Sequence, residues 1–119
     1  MLRDPDPAEL ARVLDAGDGT IRMVTLAPER IGGLAAIRQI VDAAAVAAIG
    51  HPEATYAQTR VAIAAGATVG THLFNAMRPI HHREPGPVIA LLEDPRVTVE
   101  VIADGVHVDA ALYLSLIHI

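Results

Sequence analysis

The chain has 119 residues, 52% of them apolar, which excludes a disordered tail and suffices for one hydrophobic core. Its formal net charge is -5 and its cationic side chains are all arginine, so it lacks an extended basic surface for nucleic-acid phosphates. Because cysteine is absent, disulfides and thiolate metal sites are excluded, and a metal would have to bind His, Asp or Glu.

The apolar stretches are too short for a membrane span. Asp42, Gly50 and Gly66 interrupt them before the roughly 18 residues that a membrane helix requires. The first five residues have no feature of a secretory signal. We therefore expect a soluble cytoplasmic protein whose partners include neither nucleic acid nor membrane.

The predicted elements alternate between helices and strands. Short β-branched or aliphatic runs predict strands, and apolar stripes that end at Gly or Pro predict helices. In chain order these are helix 8–16, strand 21–26, helix 34–44, strand 46–49, helix 54–65, strand 68–71, helix 87–92 and strand 97–102.

This alternation predicts an α/β fold with a parallel sheet covered on both faces. A repeat of roughly 25 residues fits half of an eight-stranded (β/α) barrel, although a whole barrel needs about 250 residues. The alternative is a small open doubly wound sheet, which a chain of this length could complete. Since no internal repeat or linker is visible, residues 1–119 are predicted to form one domain.

Histidine follows several of the predicted strands at their carboxyl ends. His51 and His72 follow the second and third strands, and His107 follows the fourth, close to Asp104. If neighbouring strands lie about 4.8 Å apart, His51 and His72 can share one ion at about 2.1 Å from each ring nitrogen. Alternatively, each is a hydrogen-bonded core or rim residue. Glu29 and Asp104 are geometric candidates for a third ligand, and neither is assigned.

The loop at residues 78–86 concentrates two arginines and two histidines in an otherwise acidic chain. Arginine can bind phosphate or carboxylate through a bidentate pair of hydrogen bonds. The simpler interpretation is a solvated surface loop. Adjacent side chains on an extended chain point apart, so His81 and His82 are not assigned to a shared metal ion.

Five strings, taken together and in order, resemble the N-acetylglucosamine-6-phosphate deacetylase family of the amidohydrolase superfamily. They are VTLAPE at 24–29, GH at 50–51, THLFNAM at 71–77, HREPG at 82–86 and IADGVHVD at 102–109. The resemblance implies a metal-dependent (β/α)8 barrel with a small β-sandwich domain. This chain would supply roughly strands four to seven, whereas its tail at 115–119 matches no family motif.

The resemblance also implies roles for particular residues. His51 and His72 would be ligands of one divalent ion, with zinc favoured over iron, cobalt or manganese. Arg83 would bind phosphate and can reach a neighbouring subunit, which implies a homodimer, and His107 would lie on the sugar phosphate. The implied substrate-binding residues are Asn75, Ala76, Arg83, Asp104, Gly105, Val106 and His107.

The implied reaction is hydrolysis of N-acetylglucosamine 6-phosphate to glucosamine 6-phosphate and acetate. The family's metal-binding Glu and general-base Asp would lie outside residues 1–119, so no catalytic residue is assigned. The isolated chain is therefore expected to be inactive. Pro52 departs from the family, which has Ser or Thr there. The alternatives are a non-catalytic sugar-phosphate-binding domain and a metal-free isomerase-type barrel, in which His51 and His72 serve acid–base chemistry or packing.

Overall fold

A computed structural model describes residues 3–118 as alternating helices around a parallel sheet. In this range the sheet has four strands in the order β1-β2-β3-β4. The elements are α1 Pro7–Gly17, β1 Met23–Leu26, α2 Gly33–Asp42, β2 Val46–Ile49, α3 Tyr56–Ala64, β3 Val69–Gly70, α4 Gly86–Glu93, β4 Thr98–Val99 and α5 Ala110–Ile117. Within the described range, no helix is both long enough and apolar enough to cross a lipid bilayer.

One face of the sheet packs against helices α2, α3 and α4. Register pairs Val24 with Ala47 and Leu26 with Ile49, so these side chains share that face. The buried cluster contains Ala47 and Ile49 together with residues of the three helices, namely Ile37, Ile40, Ala62, Ile63, Val88 and Leu91. The hydrophobic core therefore lies between the sheet and its helices.

The opposite face of the sheet is largely exposed, although Ala48, which lies on it, is buried. Met23 pairs with Val46, and their side chains are 42% and 36% exposed. Thr25 and Thr98 are exposed as well. The prediction of a sheet covered on both faces is therefore wrong for this chain, because the helices described here all contribute to a core on one side.

The strand order separates the two architectures that length had left open. A doubly wound sheet reverses its strand order at a switch point and carries helices on both faces. Here each strand pairs in parallel with the next one along the chain. Sequential order with helices on one face is the arrangement found in a (β/α) barrel.

The last two strands are shorter than predicted, and a fifth helix was not predicted. β3 ends at Gly70 because the chain leaves the ladder for a loop in which His72 has a left-handed φ of 39°. Helix α5 follows Asp109, whose carboxylate accepts a hydrogen bond from the N–H of Ala111. An Asp before an apolar run is a helix start that the sequence did contain.

Candidate functional site

His51 and His72 lie together at the carboxyl edge of β2 and β3. Their ring centroids are 4.6 Å apart and the ring planes meet at 76°, an edge-to-face arrangement. The ladder sets this approach, since the N–H of Gly50 donates to Leu26 O at 3.1 Å and the N–H of Thr71 donates to Ile49 O at 3.0 Å. Two histidines separated by a whole helix in sequence thus become neighbours.

Both histidines have left-handed backbone conformations, which is costly for a residue with a Cβ atom. The φ angle is 55° at His51 and 39° at His72. Such conformations cost about 1–3 kcal/mol each and cluster at ligand-binding and active sites. The strain at two adjoining strand ends marks this rim as a candidate site.

Gly50 is packed between two threonine side chains, beside the ring of His72. A Cβ atom at this position would lie 2.6 Å from Cγ2 of Thr25, 2.7 Å from Cγ2 of Thr71 and 3.5 Å from Nε2 of His72. Its φ is not in the left-handed region, so close packing is what requires glycine here. Gly50 was not among the predicted site residues, although a glycine at a strand end is a sign of close approach.

The histidine pair has the donor chemistry of a metal site. Nδ1 of His72 is buried and has no hydrogen-bond partner among residues 3–118, which is costly for an imidazole nitrogen unless a ligand or ion satisfies it. Imidazole nitrogen suits zinc and other divalent transition metals. The two residues fit as a pair of ligands for one such ion.

A third metal ligand does not join this pair. Residues 3–118 contain no group of three His, Asp or Glu placed to hold an ion. Oε1 of Glu29 instead accepts a hydrogen bond from the N–H of Glu53 at 2.9 Å, and Asp104 bonds to His107. The pair would supply only part of a coordination sphere.

The segment after β3 carries Asn75 and Ala76 beside His72. The N–H of Asn75 donates to His72 O at 2.9 Å, and its side-chain amide donates to Leu73 O at 3.3 Å. Leu73 is buried, and its N–H donates to Glu100 O at 2.8 Å, which ties the segment to the end of β4. The two predicted substrate contacts therefore follow the second histidine directly.

The cationic loop turns tightly instead of extending. The backbones of His81 and Glu84 exchange hydrogen bonds of 3.2 and 3.0 Å. As a result, the rings of His81 and His82 lie 4.2 Å apart, and the expectation that they point apart is wrong. Arg83, at the tip, is exposed, and its N–H donates to Nδ1 of His81.

Glu84 anchors this loop to two helices. Its Oε1 accepts hydrogen bonds from the N–H of Tyr56 at 2.7 Å and of Gly86 at 3.2 Å, at the start of α3 and α4. The Tyr56 hydrogen bond, supported by that of Gly86 and by the charge of Arg78, lowers the pKa of Glu84 below its ordinary value. Sequence reasoning missed this residue, because only the tertiary fold brings the two helix starts together.

Asp104 and His107 form a second paired group after β4. Oδ2 of Asp104 lies 2.7 Å from Nδ1 of His107, and Oδ1 accepts the N–H groups of Val106 and His107, both at 2.9 Å. Both side chains are partly exposed. Hydrogen bonds from the N–H groups of His107 and Val106 lower the pKa of Asp104 to about 2.

Two cavities lie apart from the histidine pair. One, of about 300 Å³, lies beside α1 and β1, and the other, of about 440 Å³, lies between the start of α2 and helix α3. Neither cavity is lined by His51 or His72. This is consistent with a site on the open rim of the sheet.

Comparison with curated proteins relates the chain to sugar-phosphate deacetylases, although no family model matches it. It is 44% identical over 111 residues to an N-acetylgalactosamine-6-phosphate deacetylase of Escherichia coli. It is 49% identical over 90 residues to an N-acetylglucosamine-6-phosphate deacetylase of Bacillus subtilis. The matches cover 93% and 75% of this chain but only 29% and 22% of those proteins.

Solved structures show the same relationship. The crystal structure of N-acetyl-D-glucosamine-6-phosphate deacetylase from Mycobacterium smegmatis superposes with a TM-score of 0.95 and 71% sequence identity. The match covers 98% of this chain and 31% of that one. A variant of the same enzyme, solved in complex with N-acetyl-D-glucosamine-6-phosphate, matches equally well, with a TM-score of 0.95. The chain therefore spans less than a third of the length of these relatives.

Proposed function

Because the chain belongs, over the segment that it spans, to the N-acetylglucosamine-6-phosphate deacetylase family, we propose that it forms part of a metal-dependent hydrolase. The reaction is removal of the acetyl group from N-acetylglucosamine 6-phosphate, with glucosamine 6-phosphate and acetate as products. The observation that carries the proposal is the His51–His72 pair, 4.6 Å apart on adjoining strands. It occurs in a segment 71% identical to a solved deacetylase.

The proposed architecture is four βα units of a (β/α)8 barrel, roughly strands four to seven. Three features support it: the sequential strand order, the helix-covered face, and the exposed opposite face with Met23 and Val46. In a closed barrel that face points inward and is filled by side chains of the other strands. Residues 1–119 are then a single partial barrel domain.

His51 and His72 would hold one divalent ion, with zinc favoured over iron, cobalt and manganese. An ion held by these two residues would supply Lewis acidity toward water and toward the acetamide carbonyl. Each imidazole would bind the ion through the lone pair of a ring nitrogen that carries no hydrogen. We propose that the remaining ligand, a Glu, and the general base, an Asp, come from parts of the full-length enzyme that this chain does not span.

We propose that substrate binds to three segments: the segment after β3, the loop at residues 78–86 and the turn after β4. Asn75 and Ala76 lie next to His72 and would orient the sugar beside the ion. Arg83 presents an exposed side chain for phosphate at the loop tip. We propose that it reaches a neighbouring subunit, which would make the full-length enzyme a homodimer. The turn residues Asp104, Gly105, Val106 and His107 complete the proposed substrate-binding set.

A segment exchange tests the proposal. In this experiment, the 119 residues of this chain replace the matching part of the Mycobacterium smegmatis relative. The resulting hybrid protein is the exchanged enzyme. We expect it to release acetate from N-acetylglucosamine 6-phosphate with added zinc. The assignment would be overturned by an exchanged enzyme that folds and binds zinc but releases no acetate from N-acetylglucosamine 6-phosphate or N-acetylgalactosamine 6-phosphate.

Substitution of the two histidines tests the metal site. His51→Ala and His72→Ala in the exchanged enzyme should each lower bound metal, measured by elemental analysis, along with the rate. The control is His118→Ala, at the exposed end of α5. If bound metal and rate are unchanged by both substitutions, the metal-free isomerase alternative gains support.

A cytoplasmic location is part of the same proposal. Cell fractionation with an antibody against the segment tests it, and recovery with the membrane or secreted fraction would contradict it.

A further inference from the structure

Asp104 occupies an exposed turn, yet its carboxylate is fully engaged with its own chain. Oδ1 accepts two backbone N–H groups, from Val106 and His107, at 2.9 Å each. Oδ2 lies 2.7 Å from Nδ1 of His107. A carboxylate that already accepts three local hydrogen bonds has little capacity left for a substrate hydroxyl, so its place in the proposed substrate-binding set is an indirect one.

The hydrogen bond to Asp104 determines which nitrogen of His107 carries a proton. An ionised carboxylate can only accept, so Nδ1 must donate and therefore holds a hydrogen. In the neutral imidazole, Nε2 is then left as a free acceptor, and in the imidazolium it becomes a second donor. The two backbone hydrogen bonds hold the carboxylate still, and the carboxylate holds the ring.

We infer that Asp104 is a positioning residue that acts on the substrate through His107, by fixing the orientation and the tautomer of its imidazole. This rests on the proposed function, in which His107 contacts the sugar phosphate. Without Asp104 the half-exposed ring would rotate about two bonds and would interconvert between two tautomers. Asp104 thereby presents Nε2 to the substrate in one state.

Asp104→Asn separates the positioning role from the structure of the turn. The amide oxygen can still accept the N–H groups of Val106 and His107, so the turn is kept. The amide NH₂ replaces Oδ2, and because it donates, the ring must offer a bare Nδ1 and carry its hydrogen on Nε2. The substitution therefore inverts the tautomer without removing the turn.

A double-mutant cycle in the exchanged enzyme is the kinetic test. We expect Asp104→Asn to lower kcat/KM about tenfold, the loss that one charge-assisted hydrogen bond represents. In a His107→Ala background, Asp104→Asn should not lower kcat/KM further, because the imidazole through which Asp104 acts on the substrate has been removed. If the two effects multiply, Asp104 acts independently of His107 and the inference is wrong.

Asp109→Asn is the matched control. Asp109 also accepts a backbone N–H hydrogen bond in a turn, from Ala111 at 2.8 Å, and α5 begins after it. Its substitution should leave kcat/KM unchanged. An equal loss from Asp109→Asn would show that carboxylates in this segment matter only for local folding.

The ring tautomer gives a readout that does not depend on catalysis. In exchanged enzyme labelled with ¹⁵N-histidine, NMR should show the hydrogen of His107 on Nδ1, and on Nε2 after Asp104→Asn. A ring that is Nε2-protonated before substitution, or unchanged after it, overturns the inference while leaving the deacetylase proposal intact. Conversely, if the expected tautomers are observed but the exchanged enzyme is inactive, only the proposed function is contradicted.

Discussion

Residue 50 lies in a tightly packed position beside the ring of His72. Gly50 is packed between Thr25 and Thr71, with Nε2 of His72 at the edge of the same gap. Any side chain there must push at least one of these neighbours aside. The site therefore depends on a residue that contributes no side chain to it.

Gly50→Ala in the exchanged enzyme should lower both stability and metal affinity. Overpacking of this kind costs about 1–3 kcal/mol, and one of the displaced side chains, Thr71, directly precedes the proposed ligand His72 in the chain. Gly70→Ala is the matched control, since its Cβ would lie 2.8 Å from Cδ1 of Leu91 on the helix-covered face. Both variants should lose thermal stability, whereas zinc titration should show weaker binding only for Gly50→Ala. Equal zinc affinity in the two variants would contradict this view of Gly50.

Helix α3 starts with a reciprocal pair of hydrogen bonds. The hydroxyl of Thr55 accepts the N–H of Gln58 at 3.2 Å, and the side chain of Gln58 accepts the N–H of Thr55 at 2.8 Å. This capping box satisfies two backbone donors and sets where the helix begins. Sequence periodicity placed the start at residue 54, two residues before the observed Tyr56.

Removing the cap should destabilise the fold without touching the site. Thr55→Ala is expected to lower the free energy of unfolding by about 1 kcal/mol, because a backbone N–H loses its acceptor. Thr55→Ser keeps the hydroxyl and should retain most of the stability. Urea unfolding of the exchanged enzyme followed by circular dichroism measures both, and an Ala variant as stable as wild type would argue against the cap.

Glu84 joins α3, α4 and the cationic loop through one carboxylate, and this makes the junction dependent on pH. Its pKa is lowered in the folded protein from an ordinary value of 4.5, chiefly by the N–H of Tyr56. The folded state therefore binds fewer protons than the unfolded state just below that pH. The stabilisation is fully present above the ordinary pKa and is lost as pH falls through the lowered one.

Glu84→Gln should remove this pH dependence. The amide oxygen can accept a hydrogen bond but carries no charge, so the variant is less stable than wild type near neutral pH. The difference in the free energy of unfolding should shrink as pH falls below about 4.5. Urea unfolding at a series of pH values measures it, and a difference that stays constant with pH would show that the charge of Glu84 does not matter.

The sheet as a whole is half enclosed. Helices cover one face, while Met23, Thr25, Val46 and Thr98 are exposed on the other. Within the described residues, β1 and β4 are edge strands, each paired on one side only. Exposed apolar surface and unpaired parallel edges favour association with other chains.

The 119-residue chain by itself should therefore be inactive and prone to self-association. With added zinc it should release no acetate, because two histidines are fewer than the three protein ligands of a usual catalytic zinc site. It should bind a hydrophobic dye that the exchanged enzyme does not bind. Acetate assays and light scattering on both proteins test this, and turnover by the isolated chain would refute the partial-barrel proposal.

The sequence by itself determined the alternation of helices and strands, and it placed the histidines at strand ends. These features are local: apolar periodicity, helix caps and breakers act within a few residues of each other. The sequence motifs also identified the family, since THLFNAM, HREPG and IADGVHVD occur in order.

Tertiary structure alone decided which residues meet. Strand order showed a parallel sheet whose strands follow one another in chain order, and the tight turn brought His81 beside His82. The contact of Glu84 with the start of α3 and the crowding at Gly50 also join residues from different βα units. Such contacts depend on how elements pack across long stretches of chain, and local preferences carry no information about that packing.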